Sequence, residues 1–221
     1  MKPSEKEVKQ YYQTLESERL LFRPFEDSDI QLWEPFFHET AVLGFVGMLS
    51  GKYKTMNTLE KANSWIGRQI ERQKNGSLGQ LAIVEKSSGK FIGVGGIIAR
   101  TDEITDGEWE VTYALLPEYR GKGYATEQSM FFKNWAFENT SKDSLISIVQ
   151  VDNHASQNVA EKNGMSSEEE MVYFEMNVRL NRVKRTNRTC GRCSTRTRST
   201  SRCGSCGAHC STADTSWWCP G

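Results

Sequence analysis

The chain of 221 residues is long enough for one sizeable α/β domain with a hydrophobic core. No apolar run approaches the roughly 20 residues that span a bilayer, and the opening MKPSEKEVKQ lacks the apolar stretch of a signal peptide, so we expect a cytoplasmic protein with no membrane partner. The 28 basic and 28 acidic residues divide unevenly, because 186–221 holds five Arg and one Asp, and the mildly acidic remainder predicts no nucleic-acid partner.

Periodicity and turn residues predict one mixed α/β domain. Asn57 and Glu60 form a capping box at the start of the longest early helix, whereas the pattern of the glycine-interrupted segment 41–56 does not assign it to a helix, a strand or a loop. In chain order the predicted elements are a strand at 19–25, a helix from 27 or 28, a helix from about 57 to 75, strands at 79–86 and 91–100 joined as a hairpin, a strand at 108–116, a helix at 124–138, a strand at 145–151, a helix at 155–163 and a strand at 171–180.

The segment YRGKGYATE, Tyr119–Glu127, is a candidate anion site where a strand turns into a helix. Amides at a helix N-terminus are unpaired and carry partial positive charge, and glycine lets a ligand approach the backbone closely. The two basic side chains add full charges, so the segment suits phosphate or pyrophosphate. A charged surface turn is the simpler alternative. The predicted site comprises Arg120, Gly121, Lys122, Gly123, Tyr124, Ala125 and Thr126.

Three phosphate-binding patterns can be compared with this turn. A Walker loop requires glycine where the chain has Leu116, and a dinucleotide fingerprint requires glycine or alanine where it has Thr126. The pattern Q/R-x-x-G-x-G/A is met by Arg120, Gly123 and Ala125. The turn therefore favours a third class of phosphate site.

Three segments together carry a resemblance to a known family. EWEVTYALLPEYRGKGYATE resembles motif A of the GNAT acetyltransferase superfamily, and VDNHASQNVAEKNGM is similar to the motif that follows it. LESERLLFRPFEDSD resembles the start of the branch that acetylates the N-termini of ribosomal proteins. The resemblance covers about 15–180. It implies a GNAT domain at 1–180, with a splayed mixed sheet of about six strands and helices on both faces.

The resemblance also implies acetyl-CoA as co-substrate, without a metal. Its pyrophosphate would lie on the amides of 120–126, and its pantetheine arm would lie between two splayed strands. Backbone groups of Leu115 and Leu116 would hold the arm and the acetyl carbonyl. Asn153 matches the family's N-x-x-S position near the arm, and Asn158 follows on the same helix.

Transfer of an acetyl group to an amine requires a deprotonated amine, so a general base helps. Glu110 matches the family's acidic position and is the first candidate. Glu108 lies on the same face of the strand, and Glu175 or water is a further alternative. The carboxylates could equally be solvated or ion-paired.

The leaving thiolate needs a proton, for which Ser156 is the first candidate by resemblance. Asn158 could also face the sulfur, and Tyr113 and Tyr173 are alternative acids. Plain helix capping explains Asn153 and Ser156 equally well.

These features predict an N-acetyltransferase that moves an acetyl group to a primary amine by direct attack in a ternary complex. The acceptor would be a protein N-terminal α-amine or a small molecule, and the enzyme a monomer or homodimer. A non-catalytic acyl-CoA-binding sensor on the same fold is the alternative. Because segment 41–56 would shape the acceptor pocket, the sequence does not identify the acceptor.

The tail, 181–221, is basic and rich in Cys, Ser, Thr and Arg, and it holds all six cysteines. Beyond residue 185 it lacks Ile, Leu, Val, Met, Phe and Tyr, so it cannot offset its ordering entropy by burial. We predict a disordered or vector-derived extension. Zinc binding by the pairs Cys190-x-x-Cys193 and Cys203-x-x-Cys206, in a nucleic-acid-binding ribbon, is the alternative.

Overall fold

A computed structural model describes residues 2–49, 51–102, 104–105 and 107–186. The predictions for the cysteine pairs of the tail lie outside these residues. The first compact unit spans Met1–Arg185. It extends beyond residue 180, where the domain was expected to end, since its last strand continues to Lys184. None of the described helices is both long and apolar enough to cross a membrane.

The first unit contains six α-helices and eight strands among its described residues. The helices are α1 (Glu5–Tyr11), α2 (Asp29–Trp33), α3 (Thr40–Phe45), α4 (Thr58–Lys74), α5 (Tyr124–Asn139) and α6 (His154–Lys162). The strands are β1 (Leu15–Glu16), β2 (Leu20–Arg23), β3 (Gln80–Glu85), β4 (Lys90–Ala99), β5 (Trp109–Leu115), β6 (Ser144–Gln150), β7 (Ser166–Tyr173) and β8 (Met176–Lys184). Short 3-10 turns lie at Glu34–His38, Gly51–Thr55 and Pro117–Tyr119.

The strands form one mixed sheet in the order β1-β2-β3-β4-β5-β6-β8-β7. Neighbours are antiparallel except β5 and β6, which are parallel. This confirms the predicted mixed α/β fold, with eight strands instead of about six. The additional strands are the two-residue β1 and the separate strand β7.

Two hydrophobic clusters pack helices on opposite faces of the sheet. One joins α1 and α5 through Tyr11, Phe132 and Trp135, which are buried. The other joins α2 and α4 through side chains that include Trp33 and Trp65. Leu81 and Ala82, which are consecutive in β3, belong to different clusters because strand side chains alternate between faces. Helices on both faces were predicted and are confirmed.

The C-terminal hairpin was not predicted. A single strand was expected at 171–180, but β7 and β8 are antiparallel partners joined at Phe174–Glu175. Both turn residues have positive φ, 45° and 63°. Two-residue hairpin turns of this geometry usually contain Asn or Gly, so the pair Phe-Glu gave no turn signal.

Candidate active site

The glycine turn forms the N-terminus of α5. Gly123 is the N-cap residue at φ 83°, and Gly121 has φ 74°. Both are in the left-handed region that favours glycine. The amides of Tyr124, Ala125 and Thr126 lie in the first turn of the helix, where no internal acceptor exists. The turn therefore has the left-handed glycines and the helix N-terminus on which the predicted anion site depends.

Two residues that the sequence analysis missed hold this turn in place. Glu127 accepts hydrogen bonds from Ser17 Oγ (2.7 Å), Arg19 N (2.8 Å) and Arg19 Nε (2.7 Å). Arg19 also donates to the carbonyl oxygen of Lys122 (3.0 Å). Burial opposes ionisation of Glu127, but the bonds from Arg19 and Ser17 hold its pKa below the ordinary value. Glu127 is the last residue of the segment YRGKGYATE, and this acidic side chain beside two glycines was the sequence signal for such a contact.

Arg120 differs from the expectation. Its guanidinium donates to Glu39 Oε2 (2.5 Å) and to the carbonyl oxygen of Leu115 (3.0 Å). Its amide donates to the carbonyl oxygen of Pro117 (3.2 Å). Because the guanidinium is paired with a carboxylate, Arg120 is not an unpaired charge beside the amides of the turn. Lys122 is exposed and remains beside them.

Strands β5 and β6 separate next to the turn. Within these two strands, the only register pair is Glu110 with Ile146. Beyond it towards Leu115 the two strands diverge, which leaves the edge of β5 without a ladder partner. This gap is the splay that the resemblance implied.

Both backbone groups of Leu116, which was expected to hold the pantetheine arm, already have hydrogen-bond partners in the chain. Its amide donates to the carbonyl oxygen of Ile92 (3.0 Å), and its carbonyl oxygen accepts from the amide of Tyr119 (3.0 Å). Since amides alternate in direction along a strand, the N–H groups of Tyr113 and Leu115 point away from β4, towards the gap. Tyr113 and Leu115 are therefore the residues of β5 whose amides face the gap next to the turn.

A cavity of about 670 Å³ adjoins the gap. Its lining brings Glu110 and Tyr113 of β5 together with Asn153 and Ser156 at the start of α6, about 40 positions later in the chain. Two candidates lie elsewhere. Asn158 is not among the lining residues and is exposed. Glu108 is ion-paired with Arg182 Nη1 (2.8 Å). The rest of the lining includes Tyr173 and Glu175 and much of segment 45–53.

Glu110 is buried in the wall of the cavity and both of its carboxylate oxygens have partners. One oxygen pairs with Arg100, and Oε1 accepts the amide of Ile148 (3.2 Å). Ile148 lies two residues past Ile146, the position of β6 that pairs with β5. The carboxylate therefore satisfies a backbone donor where the two strands separate.

Asn153 caps α6, since its Oδ1 accepts the amide of Ser156 (3.1 Å). The hydroxyl of Tyr113 donates to the carbonyl oxygen of Ser156 (3.4 Å). Burial raises the pKa of Tyr113 to about 12. Tyr173 donates to Asp102 Oδ2 (2.9 Å), and burial raises its pKa to about 12 against the opposing charge of Arg100. Both phenols are therefore protonated at neutral pH.

One side of the cavity is basic, which was not predicted from the sequence. Lys52, Arg68, Arg72 and Arg100 all line it. Arg68 and Arg72 share one face of α4 with Trp65 and lie one turn apart.

The comparisons with known proteins agree with this architecture. A sequence model described as "Acetyltransferase (GNAT) domain" matches residues 19–166. The uncharacterized protein YkkB of Bacillus subtilis is 25% identical over 152 residues, which are 68% of this chain and 84% of YkkB. RimJ of Mycobacterium smegmatis, solved in complex with CoA-disulfide, has a TM-score of 0.64 at 16% identity, covering 79% of this chain and 88% of that one. Spermidine N-acetyltransferase of Vibrio cholerae, solved in complex with CoA and spermine, has a TM-score of 0.60 at 15% identity, covering 76% of this chain and 96% of that one.

Proposed function

The chain belongs to the GNAT acetyltransferase family, and from that premise we propose that it transfers the acetyl group of acetyl-CoA directly to a primary amine held in the 670 Å³ cavity. Membership of the family makes it an acyltransferase with acetyl-CoA as co-substrate. The observation that carries the proposal is the gap between β5 and β6, which lies between the glycine turn and the cavity.

In this proposal the pyrophosphate of acetyl-CoA binds the amides of the turn 121–126. The helix N-terminus and Lys122 supply positive charge. Gly121 and Gly123 expose the backbone, because no side chain stands in front of it. Arg120 stabilises the turn through Glu39 and Leu115.

The pantetheine arm would extend along the unpaired edge of β5. Donors of Tyr113 and Leu115 point into this gap, and Asn153 lies at its far side, at the start of α6. One of these backbone N–H groups could bind the acetyl carbonyl and stabilise the oxyanion that forms when the amine attacks. Holding both substrates together would remove much of the entropic barrier.

We assign proton removal from the amine to Glu110, directly or through a water molecule. Each carboxylate oxygen can accept more than one hydrogen bond, so its contacts with Arg100 and Ile148 leave acceptor capacity towards the cavity. The proton returns to the sulfur of CoA as the C–S bond breaks. Ser156 and Tyr113 lie at the cavity wall as candidate donors.

Release of free CoA from acetyl-CoA tests the proposal. The full chain would be incubated with acetyl-CoA and a panel of N-terminal peptides and small amines, and thiol release followed with and without each acceptor. We expect release that depends on the acceptor and an N-acetylated product of the corresponding mass. Tight binding of acetyl-CoA with no acceptor-dependent release across the panel would contradict the proposed transfer.

A further inference from the structure

Among the residues that the structure describes, the charges that line the cavity are unbalanced. Four cationic side chains, those of Lys52, Arg68, Arg72 and Arg100, contribute to its wall. Two carboxylates, Glu110 and Glu175, oppose them. Glu175 is exposed at the β7–β8 turn, so among the described lining residues Glu110 is the only buried carboxylate.

The Glu110 carboxylate is already ion-paired with Arg100. The side chains of Arg100 and Glu110 are 18% and 5% exposed, so the pair is largely removed from solvent. Arg100 also lies over the ring of Tyr173, 5.6 Å from its centroid. The remaining positive charge of the wall therefore belongs to α4 and to Lys52.

Arg68 and Arg72 have only neutral partners in the described part of the chain. Arg68 donates to the hydroxyl of Tyr53 and lies 5.3 Å from the centroid of that ring. Arg72 donates from Nη1 to the carbonyl oxygen of Ala99 (3.2 Å). Across 2–49, 51–102, 104–105 and 107–186, no carboxylate lies within 4.0 Å of either guanidinium.

The positive charges of Arg100 and Arg68 repel that of Arg72. Burial and these two charges lower the pKa of Arg72, and together they outweigh the opposing effects of Tyr12 and Glu110. A guanidinium is the side chain best suited to bind carboxylate or phosphate in a bidentate manner. An anion between the one-turn-spaced Arg68 and Arg72 would relieve the repulsion and use their remaining donors.

We propose that the acceptor is a small primary amine that also carries a carboxylate or phosphate group, and that Arg68 and Arg72 bind this anionic group. The inference rests on the proposed function and specifies its substrate class. The amine end lies towards Glu110, and the anionic end towards α4. The same charges disfavour polyamines, whose second ammonium group would approach these arginines.

Matched amines test the charge preference with the wild-type full chain. The panel consists of ω-amino carboxylates of increasing chain length, amino-alkyl phosphates, neutral alkylamines and diamines of similar length. We expect kcat/KM for the best anionic amine to exceed that of its neutral counterpart by about tenfold or more, because hydrogen bonds to charged groups are strong. The carboxylate and phosphate arms identify which anion is bound. A neutral amine, a diamine or an N-terminal peptide as the best substrate would overturn the proposal.

Variants of the arginines locate the effect. In Arg68→Gln and Arg72→Gln we expect KM for the anionic amine to rise by about tenfold while kcat changes little. Arg68→Lys keeps the charge and should retain part of the preference. Lys74→Gln is the matched control, since it removes one positive charge from an exposed position on the same helix. Equal effects of Lys74→Gln and Arg72→Gln would refute a specific site.

Calorimetric titration of the CoA-bound protein with the same amines separates the two proposals. Preferred binding of anionic amines without turnover of any amine would support the charge assignment and contradict the transfer reaction. Turnover without a preference for anions would do the reverse. Acetyl-CoA affinity and the unfolding temperature of each variant establish that it is folded.

Discussion

Gly123 occupies a backbone conformation that β-branched residues rarely adopt. At φ 83° it directs the chain into α5, and an added Cβ would lie 3.4 Å from Arg19 Nη2. We expect Gly123→Val to weaken acetyl-CoA binding by about tenfold or more, because relieving the strain of about 1–3 kcal/mol moves the amides of the turn. Equilibrium titration with acetyl-CoA measures the effect.

Gly76→Val provides the control for this prediction. Gly76 has φ 65° and no atom within 4 Å of an added Cβ, so the variant carries similar backbone strain at the end of α4. Its acetyl-CoA affinity should match that of the wild type. If Gly123→Val also binds normally, the pyrophosphate site lies elsewhere.

Glu110 lies within reach of both the cavity and the strand gap. We expect Glu110→Gln to lower kcat by about 100-fold, since general base catalysis contributes about 10²–10⁴, and to leave acetyl-CoA affinity nearly unchanged. Steady-state kinetics and titration measure both quantities. Glu108→Gln is the matched control, because its carboxylate pairs with Arg182 outside the cavity lining. A Glu110→Gln enzyme at full rate would remove Glu110 as the base.

Residue types and spacing predicted the site only where the contacts are local. The cap made by Asn153 and the glycines of the turn depend on neighbours within a few positions. The ion pair between Arg120 and Glu39 joins residues 81 positions apart. No local pattern reports such a pair.

The hydroxyl of Tyr11 connects helix α1 to the buried backbone of the sheet. Tyr11 is buried, donates to the carbonyl oxygen of Gly79 (2.7 Å) and accepts the amide of Ile97 (2.7 Å). We expect Tyr11→Phe to lower the free energy of unfolding by about 1–3 kcal/mol, because it leaves two buried backbone groups without partners. Chemical denaturation measures the loss.

Tyr12→Phe is the comparison for this helix. The Tyr12 hydroxyl donates to a single acceptor, the carbonyl oxygen of Ser77 (3.0 Å), in a half-buried position. Its removal should cost less than that of the Tyr11 hydroxyl. An equal or larger cost would mean that the buried bridge to β4 is not what secures α1.

Strong local signals predicted the elements well. The capping box of Asn57 and Glu60 was expected at the start of α4 and is present, as is the hairpin of β3 and β4. Helix α1 was missed although Ser4 and Glu7 form a second capping box, and β7 was missed because its turn lacks glycine. Tertiary packing stabilises both elements, which sequence periodicity does not report.

At the scale of the whole molecule, the sequence predicted the family and the mixed sheet but not the acceptor side of the site. Arg68, Arg100 and Glu175 come from α4, the end of β4 and the β7–β8 turn, and they meet only in the folded unit. We propose that residues 1–185 carry the full activity, since this unit contains every group assigned to the reaction. The basic tail is not required by any of these assignments.

The single pair between β5 and β6 has a mechanical consequence. The sheet consists of a five-strand plate, β1–β5, and a three-strand plate, β6–β8, that share one rung. A small rotation of one plate about that rung would change the width of the slot without breaking a hydrogen-bonded ladder. The side chain of Glu110 joins the two plates where the ladder ends, because its Oε1 accepts the amide of Ile148 (3.2 Å).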